Sequence, residues 1–335
     1  MKNINFKVIG ATTIKKWLEK NTFDMITTVE KVYAQFKVGD TVCPDSYFLR
    51  FPTAPNNRII ALPASIESGD KVSGIKWIAS YPDNVSDGLD RASATIILNS
   101  KSTGYPIACL EGSLISAYRT ACCAVVGAKY LHDGKKIESL AIVGAGLIAS
   151  TTIKVLQNLN WEIKKIKIID LSIDRAEHLK SKVLNSNVEV STDISDIKNS
   201  DMILFTTSAI EPYVHDVKLF EHNPTVIHLS LRDLSTSIIK ASQNFSDNED
   251  HAIKAKTSLH LTEIEEGNRK FMNGDIVDLI NKTIKPDFNK TRIFSPFGMG
   301  ILDISIGYKL YQDSSIESDE IDNFFPEPYT TKNNI

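Results

Sequence analysis

The stretch Leu140-Ala141-Ile142-Val143-Gly144-Ala145-Gly146-Leu147-Ile148-Ala149 constrains this chain more than any other: an apolar run breaks into two glycines and resumes with helical spacing. The apolar run reads as a buried strand. Gly144 permits a tight turn, Gly146 lets backbone approach a ligand, and Ala149 allows a helix to pack closely on the strand. A second apolar run, Ile166 to Ile169, ends in Asp170, 21 residues after Ala149. Strand, glycine turn, helix, strand and terminal acid form the pattern of a dinucleotide-binding unit. The free N–H groups of the helix opening at Leu147 and Ile148 would face a pyrophosphate, and the Asp170 carboxylate would take the adenosine ribose hydroxyls. Gly144, Gly146, Leu147, Ile148 and Asp170 are therefore cofactor-binding candidates. Arg175 is a further one at the ribose end, or else a residue of the following helix surface. A structural glycine turn is the competing use of such a motif.

About 140 residues precede that unit, enough for a domain of their own. Thr12 to Phe23 and Met25 to Phe36 carry helical apolar spacing. Shorter alternating runs at Tyr47–Phe51, Arg58–Leu62, Gly74–Ala79 and Ser93–Leu98 read as strands, with turn signals between them. Leu114 to Leu131 reads as a long helix rich in small residues. Beyond it, strands at Ser139–Val143, Ile166–Asp170, Val188–Val190, Met202–Thr206 and Thr225–Leu229 alternate with helices, which implies a doubly wound parallel sheet. Ile301 to Leu310 is helical again. The expected fold is α/β, a Rossmann domain over 123–304 plus a discontinuous α/β domain of residues 1–122 and 305–335. The tail from Phe325 is expected to be mobile.

Composition excludes several classes. A net charge of -3 argues against a nucleic-acid binder. No apolar stretch approaches the roughly 18 residues of a membrane span, and the first residues lack the apolar core of a signal peptide, so the expected setting is cytoplasmic. Cys43, Cys109, Cys122 and Cys123 fit no zinc spacing and read as buried, reduced thiols, and the seven histidines form no ligand pair. No metal is expected.

Two cations stand in apolar settings: Lys76 within Gly74-Ile75-Lys76-Trp77-Ile78 and Arg119 within an alanine-rich helix. Buried cations are costly unless paired, so each has an internal acid or awaits an anionic ligand. Arg50, Arg58 and Arg91 add positive charge nearby in sequence, though each singly could be a solvated strand residue. Thr206-Thr207-Ser208 ends a strand with hydroxyls at the edge where a parallel sheet binds its ligand, and turn capping is their other use. The run His228-Leu229-Ser230-Leu231-Arg232-Asp233 follows a further strand, so Ser230 and Asp233 face the same edge, unless Asp233 caps a helix. Phe297-Gly298-Met299-Gly300 with Asp303 shows only that backbone comes close to something there.

In this order, these segments resemble the ornithine cyclodeaminase/mu-crystallin family over most of the chain. The resemblance implies a substrate and dimerisation domain, a Rossmann domain, NAD as cofactor and a homodimer. It implies that Lys76 and Arg119 hold a substrate α-carboxylate and that Asp233 assists the chemistry beside the nicotinamide. Thr206, Thr207, Ser208, Ser230, Met299 and Gly300 join the cofactor-binding candidates. Segments around Arg58–Pro63, Ser73–Ile78, Arg91–Ser93 and Gly112–Ser116 are similar to a branch serving 2,3-diaminopropionate formation in siderophore biosynthesis. That branch oxidises N-(2-amino-2-carboxyethyl)-L-glutamate with NAD⁺, and the imine hydrolyses to 2,3-diaminopropionate and 2-oxoglutarate. Ile60 stands where the cyclodeaminases place a glutamate, and Arg50, Arg58 and Arg91 would suit extra carboxylates on the amino-acid conjugate. A PLP-dependent synthase is the expected pathway neighbour. The alternatives are ornithine cyclodeamination or imine reduction, and a non-catalytic, crystallin-like ligand binder.

Overall fold

A computed structural model describes residues 5–184 and 187–326. The chain forms two compact units, one of residues 1–20, 40–115 and 300–335, the other of 21–39 and 116–299. The sequence placed its borders at 122/123 and 304/305, whereas the units divide at 115/116 and 299/300. Helix Thr22–Lys37 also goes with the second unit. The reason lies in its polar contacts: Glu30 accepts from Lys129 and Tyr130, Thr22 from Asn158, and Lys37 pairs with Asp275.

In the first unit one sheet runs through strands 319–321, 6–9, 106–111, 92–100, 72–80, 54–66 and 41–42, with Tyr47–Phe51 also paired to Ala54–Ile66. Its pairings are antiparallel except for Phe6–Ile9 beside Pro106–Glu111. Alternation along strands sends neighbouring residues to opposite faces, and directly paired residues share one. Lys76 pairs with Leu62 and with Ile96, so all three lie on one face. Helix Gly300–Gln312 covers that face, and Ile96, Leu98 and Leu110 are fully buried on it. The other face carries Tyr47, Leu49, Ala61 and Trp77, of which the three large side chains are exposed. Of the tail expected to be mobile from Phe325, only residues 325–326 are described. Phe324 stacks on Phe6 at 4.2 Å and Phe325 meets Tyr105 edge-on at 5.1 Å; residues 327–335 lie outside the described residues.

Among the described residues of the second unit, eight strands form an all-parallel sheet in the order 188–191, 162–169, 136–143, 202–205, 225–228, 292–294, 243–246, 272–275. The first five strands in sequence thus lie 3-2-1-4-5, and the last, Arg292–Phe294, inserts beside the fifth. Four-residue strands such as Met202–Phe205 and Thr225–His228 are buried throughout, as a sheet covered on both faces requires. Arg292 is buried, and among the described residues no carboxylate forms an ion pair with it. Its guanidinium instead donates to the carbonyls of Leu131, Phe288, Lys290 and Asn223, stapling the end of helix Ser113–Leu131 to the strand starts. Among the described residues no helix is long and apolar enough to cross a membrane.

Candidate functional site

Strand order reverses on the two sides of Lys136–Val143, so a switch point opens between that strand and Met202–Phe205. Ligands of open α/β sheets bind outside the strand ends at such a point. Gly144 sits there with φ +96°, and a Cβ on it would lie 2.9 Å from the backbone of Thr206. Thr206 locks the turn by donating its hydroxyl to Gly144 O at 2.8 Å and its N–H to Val143 O at 2.8 Å. Gly146 differs: a Cβ there would meet nothing within 4 Å. Helix Leu147–Asn158 starts directly after it with no side-chain cap, leaving its first N–H groups directed at that open space. Ala149 is fully buried against the sheet, while Leu147 is exposed and Ile148 half-buried. Asp170 follows its strand and ties the turn down, Oδ2 accepting from Ala145 N at 2.8 Å and Oδ1 from Ser172 N at 2.9 Å. Arg175, exposed on helix Ile173–Lys182, has Nε 4.0 Å from the same carboxylate. These residues fit a dinucleotide: open space at the glycine, a helix N-terminus without a side-chain cap, and a carboxylate at the end of the next strand.

Asp233 caps no helix; Ser235 precedes helix Thr236–Ala241 instead. The carboxylate is fully buried and takes four side-chain donors. Oδ2 accepts from Ser230 and lies 3.0 Å from His228 Nε2; Oδ1 accepts from Thr207 and, at 3.1 Å, from Tyr213. Burial pushes the Asp233 carboxyl up, but the hydrogen bonds from His228, Ser230 and Thr207 outweigh it and hold the group below the usual carboxylate range. The chain curls tightly to bring 228 and 233 together, and Leu231 takes φ +69° to do so, a conformation uncommon outside glycine. Thr207 also accepts from Ala209 N, so it both caps the turn and joins the network; Ser208 is exposed.

Lys76 has its acid inside the fold. Its Nζ lies 2.6 Å from Asp303 Oδ2, and both side chains are buried. The sequence showed Asp303 beside two glycines without revealing its partner. Gly300 proves to be pressed on strand Ala54–Ile66: a Cβ there would lie 2.9 Å from Leu62. Met299 before it is buried. In the second unit, a Cβ on Gly298 would lie 2.7 Å from Arg119 Nη1, so this glycine makes room for the guanidinium. Asp247 lies in the acidic segment Ser246–Asp250, which by its composition alone reads as solvated surface; it is instead buried and fixes that turn by accepting from Phe297 N at 2.8 Å and Gly298 N at 2.7 Å. Burial pushes the Asp247 carboxyl up, and those N–H bonds pull it back only partly.

Register settles the three further arginines. Arg50 pairs directly with Arg58, Arg58 with Ser80, and Arg91 donates to Ser80 Oγ at 3.0 Å. They gather at one end of the first sheet, and Arg50, Arg58 and Ser80 share the face that carries Lys76. Cys122 and Cys123 are buried, whereas Cys43 and Cys109 are only half-buried.

Fold and site together define a two-unit α/β protein whose second unit is built to hold a dinucleotide. Residues 11–317 match the ornithine cyclodeaminase/mu-crystallin family, and the chain belongs to it. It is 28% identical over 268 residues, 77% of this chain and 79% of the relative, to the N-((2S)-2-amino-2-carboxyethyl)-L-glutamate dehydrogenase of Staphylococcus aureus (strain NCTC 8325 / PS 47). The solved Delta(1)-pyrroline-2-carboxylate reductase of Thermococcus litoralis, in complex with NADH and L-proline, superposes with a TM-score of 0.84 at 20% identity, covering 94% of this chain and 100% of that one. An archaeal alanine dehydrogenase dimer with bound NAD gives 0.82 at 18% identity, covering 96% and 100%.

Proposed function

We propose that this protein is an NAD-dependent oxidoreductase that oxidises a secondary amine joining two amino-acid skeletons, with N-(2-amino-2-carboxyethyl)-L-glutamate as substrate. Hydrolysis of the imine then yields 2,3-diaminopropionate and 2-oxoglutarate. The row Arg50–Arg58–Ser80 with Arg91, on the sheet face that also carries Lys76, carries this reading. Ser80 lies four residues along the strand from Lys76, or about 13 Å at ~3.3 Å per residue. Like charges directly opposite on a sheet repel, and a carboxylate seated among them removes that cost. A substrate with several carboxylates strung along an N-linked backbone matches cations spaced in this way. The Staphylococcus aureus relative acts, by its name, on such a conjugate.

In this reading Gly144, Gly146, Leu147 and Ile148 hold the pyrophosphate, and Asp170 the ribose. Thr206, Thr207, Ser208, Ser230, Met299 and Gly300 line the rest of the cofactor. When bound, NAD⁺ supplies the hydride acceptor. By the family resemblance, the role proposed for Lys76, paired with Asp303, and for Arg119, beside the Gly298 turn, is to hold the substrate's α-carboxylate. Asp233 takes the proton of the water that attacks the imine. The half-exposed face with Tyr47, Leu49 and Trp77 meets a second copy in a homodimer.

The test is incubation with NAD⁺ and a panel of N-linked amino-acid conjugates, following nicotinamide absorbance and identifying products by mass. One NADH, one 2-oxoglutarate and one 2,3-diaminopropionate per turnover are expected. Proline and ammonia from ornithine, without net NADH, would assign the cyclodeaminase reaction instead. The same assay should show a preference for NAD⁺ over NADP⁺, because the Asp170 carboxylate repels a 2′-phosphate; equal efficiency with both would remove Asp170 from the ribose site.

A further inference from the structure

Asp233 is fully buried, and the side chains around its carboxylate differ in how far they reach toward solvent. On the Oδ2 side, His228 is buried, and its Nδ1 lies 3.3 Å from the hydroxyl of Ser295, itself buried. On the Oδ1 side stands Tyr213. Of the four side chains that donate to the carboxylate, Tyr213 is the exposed one, at 40%. Its backbone is fixed to the same segment: Tyr213 N and Val214 N both donate to Asp233 O, and Ser235 N donates to Val214 O. The phenol therefore spans from a fully buried carboxylate to solvent in a set position.

We infer that Tyr213 is the outlet through which a proton taken up by Asp233 leaves the protein, a positioning and relay residue for the reaction proposed above. The inference rests on the reading of Asp233 as the base. When water adds to the carbon of the protonated imine left by hydride loss, a C–O bond forms, the C=N π pair moves onto nitrogen and neutralises it, and one O–H bond of the water breaks, its proton passing to Asp233. The new carboxyl O–H then breaks as an O–H bond forms at Tyr213, whose own proton passes to solvent water. The phenol ends neutral, as it began, and nothing is oxidised or reduced in this step. Burial and the Asp233 charge push the ionisation of Tyr213 up, so the phenol passes a proton on without resting as phenolate. Arg232 and Asp170 are the other charged groups that act on the pair, the first on Asp233 and the second on Tyr213. Thr207 and Ser230 also donate to the carboxylate but are less exposed than Tyr213.

Tyr213→Phe keeps the ring and removes the hydroxyl. With NAD⁺ and whichever conjugate the panel selects, kcat should fall roughly 10-fold while both KM values stay within about 2-fold. The solvent deuterium effect on kcat should rise, and added imidazole buffer should restore part of the rate. Thr207→Val removes the other Oδ1 donor, and with it a hydrogen-bond partner of Tyr213, but leaves the phenol hydroxyl in place. In protein free of substrate and cofactor, both variants should raise the midpoint of the Asp233 carboxyl titration, followed by ¹³C NMR and assigned with Asp233→Asn. Buffer rescue should appear only in Tyr213→Phe. Should that variant not fold, Tyr213→His, which retains an exchangeable proton, should keep near wild-type kcat with no buffer rescue, and a His variant that needs buffer overturns the outlet. Wild-type kcat and isotope effect in Tyr213→Phe, or equal rescue of Thr207→Val, overturns the outlet while the reaction stands. A wild-type protein that turns over no conjugate overturns the reaction, and the outlet with it.

Discussion

Lys76 and Asp303 illustrate how much a single residue owes to one distant partner. A buried pair contributes little over a well-packed apolar pair, but removing one member strands a charge, at a cost of about 3–5 kcal/mol. Lys76→Met or Asp303→Leu alone should therefore lower the unfolding midpoint sharply, and the double variant should recover most of the loss, measured by denaturant unfolding of all four proteins. Additive losses would mean that the two do not act as a pair. Asp233 is a different case, because its carboxylate is held ionised by its donors. A carboxyl depressed in the folded state adds stability that is present above its unfolded pKa of ~3.9 and is lost as pH falls through the folded value. Asp233→Asn should lower NADH formation by roughly 10²-fold, leave cofactor affinity nearly unchanged, and flatten the acid side of a stability–pH curve. Full activity in that variant would take the residue out of the mechanism. The acid at 233 was legible because it follows a strand run at the ligand edge. Tyr213 was not, because it lies in an irregular segment with no period to read. Asp303 was visible, but its pairing across 227 positions was not.

At the scale of elements, the glycine turn separates two jobs that sequence treats as one motif. Gly144 is needed by the fold: its φ is positive and a Cβ would strike Thr206. Gly146 has φ -91° and open space around it, so the fold does not require it to be small. Gly144→Ala should lose stability outright, by a few kcal/mol in order of magnitude. Gly146→Ala should keep its melting temperature and lose affinity for NAD⁺ by calorimetry; the reverse pattern would reassign both residues. This unit was readable because strand, turn, helix and acid follow within some thirty residues, with each period intact. Strand Phe6–Ile9 and the pair Gln243–Ser246 and Met272–Asp275 are too short for alternation to register, and only their neighbours in the sheet define them. Helix Thr22–Lys37 was legible as a helix, but its placement with the second unit depends on Glu30, Thr22 and Lys37 finding partners far along the chain.

At the scale of the first unit, one face of its sheet carries Tyr47, Leu49 and Trp77 exposed, on two strands that flank Ala54–Ile66. Contiguous apolar surface of this kind marks an interaction site. Leu49→Asp should convert a dimer into a monomer in sedimentation velocity without altering the far-ultraviolet spectrum, and a wild-type monomer at all concentrations would dismiss the homodimer. The overall division into two α/β units was legible because a dinucleotide unit beginning near residue 136 leaves a long leader and a short trailer to form something else. Its borders were not, since a helix such as Ser113–Leu131 runs through one of them without a break in pattern. That the first unit is closed by helix Gly300–Gln312 also sets an order of events during synthesis. A ribosome delivers Lys76 early and Asp303 more than two hundred residues later, so the nascent first sheet waits with one face bare and a cation unmatched while the second unit emerges and folds. Chains arrested before residue 300 should therefore depend on chaperones in a way that the finished chain does not.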